Sequence, residues 1–327
     1  MSEYRQAGVD LDGHADLVRR IAALAAGARR PEVIGGIGLF SGAMGLPPDV
    51  EGPVLVASTD SVGTKVLLAA EIGRYREVGR DVVIHCANDV VTTGAAPLFF
   101  LDYLAVARLD PAQVLELLAG VTDACRDAGC ALLGGETAQL PDLYREGAYD
   151  LAGTMVGLVG RKRLVIPSGR PGDVVIGLPS SGLHTNGFSL VRRILREHRI
   201  DPRAHADALL AASRLYAGDV AQLGAAGIPV HGMAHITGGG LAGNLDRALP
   251  PDADAVLDPG AWERPAVFDW LQRLGDVPEA EMRRVFNLGI GFCVIVPAGE
   301  SARALRHLPG GRVIGQLLPG SGRVSFR

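Results

Sequence analysis

The sequence predicts a mixed α/β fold arranged in two halves. Three observations carry that prediction. Apolar runs of strand length alternate with stretches of helical periodicity along the chain. Most of those runs end in an acid, a small polar residue or a glycine pair, and then pass into a helix. Glycine fills 44 of the 327 positions while aromatic residues make up only 5%. That is nearly twice the usual ~7% glycine, and it suits tight turns and close backbone approach to a ligand. At roughly 100–200 residues per domain, the length suggests two domains.

Taken in order, Asp12 is placed to cap an amphipathic helix with Leu17, Val18, Ile21, Leu24 and Ala25 on one side, ending before Pro31. A glycine loop follows, running from Gly35, Gly36 and Gly38 to Ser41 and Gly42. Pro53 to Thr59 reads as a strand ending at Asp60, with a helix from Gly63 to Ile72. Asp81 to Ala87 reads as a second strand ending at Asn88 and Asp89, and Leu98 to Ala107 as a third. Asp110-Pro111 is a strong helix start, an N-cap followed by proline at the first helical position. That helix turns Val114, Leu117, Leu118, Val121 and Cys125 inward and stops at Gly129. Cys130 to Leu133 reads as a short strand opening into Gly134-Gly135-Glu136-Thr137, and Ala152 to Val159 as another strand. Between residues 166 and 171 the chain becomes polar and gains Pro and Gly, which sets expected domains of 1–167 and 168–327. The second half repeats the syntax: a strand Val174 to Leu178, a Ser/Gly loop, and a helix from Gly187 to Glu197. A strand near Pro229 to Ile236 then runs into Thr237-Gly238-Gly239-Gly240, and strands near Gly291 to Val296 and Val313 to Leu317 close the domain.

Composition narrows the function. With 48% hydrophobic and 21% charged residues, the chain can bury a sizeable core. A net charge of −4 supplies no basic excess for nucleic-acid binding. Lysine occurs only at Lys65 and Lys162. Cys86, Cys125, Cys130 and Cys293 form no CxxC pair and read as reduced thiols. The first residues lack the apolar stretch of a secretion signal, and no apolar run reaches bilayer length, so a cytoplasmic protein without membrane contact is expected.

The chemistry must then come from local groups. Asp60, Asp89 and Glu136 each lie where an apolar run ends. Any one of them also reads as a simple helix cap. Three in one domain fit a hard divalent cation such as Mg²⁺, which takes one or two carboxylates plus substrate phosphates. Lys65 follows a glycine turn at a helix start, where backbone N–H groups already favour anions, and it also reads as a solvated surface lysine. Neither GxxxxGK[ST] nor GxGxxG is present, because Ser41 stands where the last glycine of the latter is needed. Ser180-Ser181-Gly182-Leu183-His184-Thr185-Asn186-Gly187 and His235-Ile236-Thr237-Gly238 look like cradles for a phosphate or polar substrate, or else ordinary helix caps. His85 reads as a packed strand residue. HExxH, GxSxG and the kinase motif set are absent.

The stretches YRQAGVDLD, RRPEVIGGIG, STDSVGTK, CANDVVTTGAAPLFFLDY, GGETAQLPDLY, YDLAGTMVG, PSSGLHTNGFSLVRRIL, HITGGGLAGNL and FNLGIGF together resemble the phosphoribosylformylglycinamidine cyclo-ligase (aminoimidazole ribonucleotide synthetase) family over essentially the whole chain. Ser61, Ala96, Gln139, Thr185 and Leu288 depart from the family's usual residues and leave open a paralogue with altered substrate preference or reduced rate. The resemblance implies an N-terminal ATP-binding domain forming a β-barrel across a homodimer, a C-terminal α/β domain that binds the substrate, and an active site in the cleft. It also implies the reaction, ATP-dependent closure of formylglycinamidine ribonucleotide to aminoimidazole ribonucleotide in purine synthesis. On that basis Asp60, Asp89 and Glu136 are expected to hold Mg²⁺. Lys65 and Gly35, Gly36 and Gly38 would touch the ATP phosphates, with Thr59, Thr64, Asn88 and Thr137 in the same nucleotide site. Ser180, Ser181, His184, Asn186, His235, Thr237 and Gly238 are expected to contact the ribonucleotide. His184, Lys65 and Asp89 are the expected catalytic groups, His184 moving the proton because an imidazole titrates near neutrality. The competing readings are a superfamily relative acting on another substrate (selenophosphate synthetase, thiamine-monophosphate kinase or the carbamoyl-dehydrating hydrogenase maturation protein) and a non-catalytic nucleotide-binding homologue.

Overall fold

The computed structural model describes residues 11–34 and 41–327, with side chains from residue 16 onward. Gly35, Gly36 and Gly38 therefore lie outside the described residues. After helix α1 (Leu11–Ala25) and a small hairpin of β1 (Val33–Ile34) and β2 (Ala43–Met44), the first half is built on four long strands. These are β3 (Pro53–Ser61), β4 (Ala96–Val106), β5 (Ala131–Gln139) and β6 (Tyr149–Gly160). They order as β3-β6-β4-β5, antiparallel except for the parallel β4–β5 pair. Helices α2 (Lys65–Ile72), α3 (Arg76–Val91) and α4 (Pro111–Ala128) belong to the same half.

Helix α4 begins as its sequence requires. The Asp110 carboxylate accepts from the N–H groups of Ala112 and Gln113, satisfying donors that the first turn cannot. It ends at Gly129 with φ of 69°. Helices α3 and α4 approach closely because each carries a glycine at the crossing. A Cβ on Gly79 would lie 2.0 Å from the Leu117 carbonyl oxygen, and one on Gly120 would lie 2.1 Å from that of Arg76.

Helix α3 corrects one expectation. Asp81 to Ala87 is helical, and His85 and Asp89 are helix residues rather than strand residues. Every residue from Asp81 to Asn88 is buried, because that stretch of α3 is covered on all sides. A helix without a solvent face loses the 3.6-residue polar rhythm and reads as a continuous apolar run. A second expectation is extended rather than overturned. β5 continues to Gln139, so Gly134–Thr137 lies within a strand instead of a loop.

The second half carries a six-stranded sheet, ordered β12-β9-β11-β7-β10-β8. Its strands are β7 (Val174–Pro179), β8 (Gly232–His235), β9 (Ala253–Leu257), β10 (Ile290–Val296), β11 (Arg312–Pro319) and β12 (Val324–Phe326), antiparallel except β12 with β9. Helix α5 (Phe188–Glu197) follows the Ser180–Gly187 loop, and the short α6 (Gly240–Leu245) follows β8. One apolar cluster runs from Leu68, Ala69, Val82 and Cys86 of the first half into Leu183, Phe188 and Val191 of the second. The two halves share that packing, and the site lies along it. Among the described residues no helix is long and apolar enough to cross a membrane.

Candidate active site

Asp81, His85 and Asp89 stand four residues apart on α3 and so line one side of the helix. Each is held by a partner from a different segment. Asp81 Oδ2 lies 2.6 Å from Lys65 Nζ, and its Oδ1 accepts from the Ser213 N–H at 2.7 Å. His85 Nε2 lies 2.8 Å from Asp60 Oδ2 on β3, with its Nδ1 2.8 Å from Thr185 Oγ1. Asp89 Oδ1 meets His235 Nδ1 at the end of β8 at 2.9 Å, while Oδ2 accepts from Ser58 Oγ at 3.0 Å. The His85 and His235 rings pack edge to face with centroids 5.0 Å apart.

Two Asp–His pairs therefore sit side by side, and their electrostatics differ. Burial opposes the charge on His85, but the hydrogen bond and charge of Asp60, with Asp89 and Asp81 behind it, raise the imidazole above its ordinary value. Burial dominates at His235 and, with the repulsion of His85, lowers it despite the pairing with Asp89. Two imidazoles in contact cannot both carry charge cheaply, and the two shifts run apart, His85 upward and His235 downward. His235 is neutral, with Nδ1–H donating to an ionised Asp89. Burial works against both carboxylates, yet Asp60 is held below the usual range by His85, and Asp89 by His235, His85 and Ser58. Their side chains remain 43% and 35% exposed, which leaves both open to the cleft.

The expected three-acid set is not assembled in the chain as described. Strand alternation separates Glu136 from the other two. Gly135 pairs with Asp102 on the helix-covered face, so Glu136 pairs with Tyr103 on the opposite, exposed face. Among the described residues no three of His, Cys, Asp and Glu gather as a metal-binding group. Asp60 and Asp89 alone lie near each other, close enough for Asp89 to push Asp60 upward. Thr137 lies one residue beyond Glu136 on β5.

Lys65 is also placed differently from a phosphate contact. It is fully buried, salt-bridged to Asp81, and donates to the carbonyls of His184 and Ala211 at 2.9 and 3.0 Å. Its ammonium is used up as a strut between the halves. Asn88 is another strut, fully buried, donating to the Arg214 carbonyl and accepting from the Tyr216 N–H. Thr59 bonds the Gly153 carbonyl on the neighbouring strand, and Thr64 meets Ser189 Oγ at 3.1 Å.

The seven expected substrate contacts divide into two groups. Asn186, His235, Thr237 and Gly238 gather near the Asp–His pairs. Asn186 donates to Thr185 Oγ1, and a Cβ on Gly238 would lie 3.3 Å from Asn186 Oδ1. Thr237 is tied to Asn244. Ser180, Ser181 and His184 are instead tied up within the second half, His184 buried, Ser180 half-buried and Ser181 exposed. Ser180 donates to Asn287 and Ser181 to the Ala212 carbonyl. His184, only 1% exposed with φ of 57°, accepts at Nε2 from the N–H groups of Ser181 and Arg214. Burial, with His235 and Lys65, holds it far below the ordinary imidazole value. Its lone pair is already engaged, so it is not placed to relay a proton to a ligand. The sequence reading missed Asp81 and Ser58, gave His85 only as a packed strand residue, and gave Thr185 only as part of the cradle loop. The D-x₃-H-x₃-D spacing in DVVIHCAND was the available signal, visible only once the segment is taken as helical.

Asp102 supplies a testable side effect. It is buried under the sheet with Gly135 packed against it, and burial, then the charge of Glu136, pushes it up to about 7 against the pull of its own backbone N–H. A carboxyl whose folded value exceeds its unfolded value costs stability as pH rises from the unfolded value through the folded one. Asp102→Asn is expected to stabilise the chain by about 2–4 kcal/mol at pH 8 and by little at pH 4. Thermal melts at the two pH values check this, and equal shifts at both would refute it.

The two-domain fold with its polar cleft defines a class. Residues 46–159 match the family model described as AIR synthase related protein, N-terminal domain, and residues 170–325 match AIR synthase related protein, C-terminal domain. In architecture the chain resembles the crystal structure of thiamine-monophosphate kinase from Stenotrophomonas maltophilia K279a, with TM-score 0.69, 19% identity and 95% of each chain covered. It also resembles hydrogenase maturation protein HypE in complex with ATP, with TM-score 0.68, 18% identity, and 94% of this chain and 90% of that one covered. At such identities the likeness is one of fold. Sequence goes further. Phosphoribosylformylglycinamidine cyclo-ligase of Synechococcus sp. (strain CC9605) is 48% identical over 94% of this chain and 92% of its own. The cyclo-ligase of Sorangium cellulosum (strain So ce56) is 49% identical over 92% and 90%. The chain belongs to the phosphoribosylformylglycinamidine cyclo-ligase family.

Proposed function

We propose that the chain uses ATP to close the imidazole ring of aminoimidazole ribonucleotide from formylglycinamidine ribonucleotide, releasing ADP and phosphate. Near-half identity to relatives named for that ring closure, over more than nine-tenths of the chain, carries this reading. An amide oxygen leaves poorly. Moving the γ-phosphoryl group onto the formyl oxygen forms an O–P bond and breaks the β–γ bridge, giving an iminophosphate and ADP. A nitrogen of the same molecule then attacks that carbon, and the oxygen departs with phosphate. The work left to the protein is positioning and charge stabilisation.

In this scheme residues 1–167 bind ATP and residues 168–327 bind the ribonucleotide. Asp60 and Asp89 fit a hard cation, since both are ionised oxygen donors open to the cleft. Mg²⁺ held there would neutralise phosphate charge. Asn186, Thr237 and Gly238 line the ribonucleotide side. His235, neutral and oriented by Asp89, presents Nε2 to take the proton released on ring closure. A homodimer belongs to the same reading, because the outer face of the four-stranded sheet exposes Leu55 and Tyr103, and closing it into a barrel with a second copy would cover them. Four buried, unpaired cysteines suit a reducing cytoplasm. The test is incubation with ATP, Mg²⁺ and formylglycinamidine ribonucleotide, followed by assay for a diazotisable aminoimidazole. ADP without that product would favour a relative acting on another substrate, and no ATP turnover would favour a binding homologue.

A further inference from the structure

A cavity of about 300 Å³ opens between the halves beside Asp89. One wall is Ser58, Asp89, Thr92 and Thr93, and the other is His235, Asn244 and Arg247. Most of its polar groups are already committed. Ser58 donates to Asp89, while Thr92 and Thr93 donate to the carbonyls of Asp89 and Val90. The Asn244 amide donates to the carbonyls of Thr237, Gly238 and Gly240. The carboxylate of Asp89 is taken on both oxygens. Arg247 differs, since it has no hydrogen bond or ion pair among the described residues.

The backbone that carries Arg247 is nonetheless fixed. It lies on the turn after α6, between buried Leu245 and Ala248. Strand β8 packs so closely there that a Cβ on Gly232 would lie 2.7 Å from the Ala248 carbonyl oxygen. A guanidinium carries five N–H donors in a planar fork that matches phosphate oxygens. Here it is anchored at its base, exposed and unpaired at its tip, and lines a cavity that it shares with the Asp89 carboxylate.

We infer that Arg247 is a substrate-positioning residue that binds a phosphate group in this cavity. The inference rests on the proposed ring closure, which brings two phosphate-bearing substrates into the cleft. The shared chemistry is a phosphate dianion, either the 5′-phosphate of the ribonucleotide or the polyphosphate of the nucleotide.

The experiment is steady-state kinetics of Arg247→Gln and Arg247→Lys beside the unaltered chain, varying each substrate in turn. Arg247→Gln is expected to raise one KM by about tenfold or more, with kcat changed less than threefold and an unchanged melting temperature, and Arg247→Lys to recover part of the loss. A rise confined to the ribonucleotide assigns the 5′-phosphate. In that case the unphosphorylated riboside should react equally poorly with both forms. A rise confined to ATP assigns the polyphosphate. Both KM values within twofold of the unaltered chain, or matched rises in both together with a lower melting temperature, would overturn the inference. If the unaltered chain gives no product, it is the ring-closure reading that fails instead.

Discussion

Asp89→Asn is expected to lower kcat/KM by about two to four orders of magnitude while leaving the far-ultraviolet circular dichroism spectrum unchanged. The carboxylate does three things at once. It orients His235 through Nδ1, accepts from Ser58, and contributes charge to the cleft beside Asp60. The amide keeps the shape and one acceptor, but it loses the charge and offers N–H₂ to one of the two donors. Asp60→Asn should behave similarly for ATP turnover, with the added loss of the anion that raises His85. Steady-state rates against ATP decide the matter. Near-normal turnover in both variants would remove the pair from the chemistry.

Lys65→Met should destabilise the fold strongly without altering any exposed group. The side chain is fully buried, as is that of Asp81. Removing one member of a buried ion pair leaves the other uncompensated, which typically costs about 3–5 kcal/mol. Two interdomain carbonyls, those of His184 and Ala211, lose their donor as well. At about 2–4 °C per kcal/mol for a domain of this size, the melting temperature should fall by roughly 10 °C. Replacing both partners, as Lys65→Met with Asp81→Leu, should recover much of the loss, because no lone charge then remains. A single variant that melts within 2 °C of the parent would contradict the strut.

The sequence was legible where an element has one wet face and one dry face. Helix α4 shows this, with Asp110, Pro111 and Gly129 marking its ends and the inward residues at helical spacing. The strands β3, β4 and β7 were equally clear, bounded by glycine, proline and acid. Asp60 and Asp89 could be picked out as acids beside glycine turns. What could not be read was helix α3, because complete burial removes the rhythm that distinguishes helix from strand. Its polar ladder was hidden with it. The separation of Glu136 from the other acids was hidden for a related reason, since it depends on the register of β5 against β4 and not on local sequence. Lys65 had the composition of a phosphate contact, and only tertiary packing shows it turned inward.

Three separate jobs ride on a single shaft in α3: clamping the halves through Asp81, charging the cleft through His85, and aiming the imidazole of His235 through Asp89. An added residue within that shaft would rotate everything beyond it by about 100°. One insertion upstream of Asp81 would thus mistime all three together, as a slipped camshaft does, while insertions at the exposed turn between β11 and β12 would disturb none of them. Tolerance to length variation in this chain should therefore be set by the axial alignment of one hidden rod.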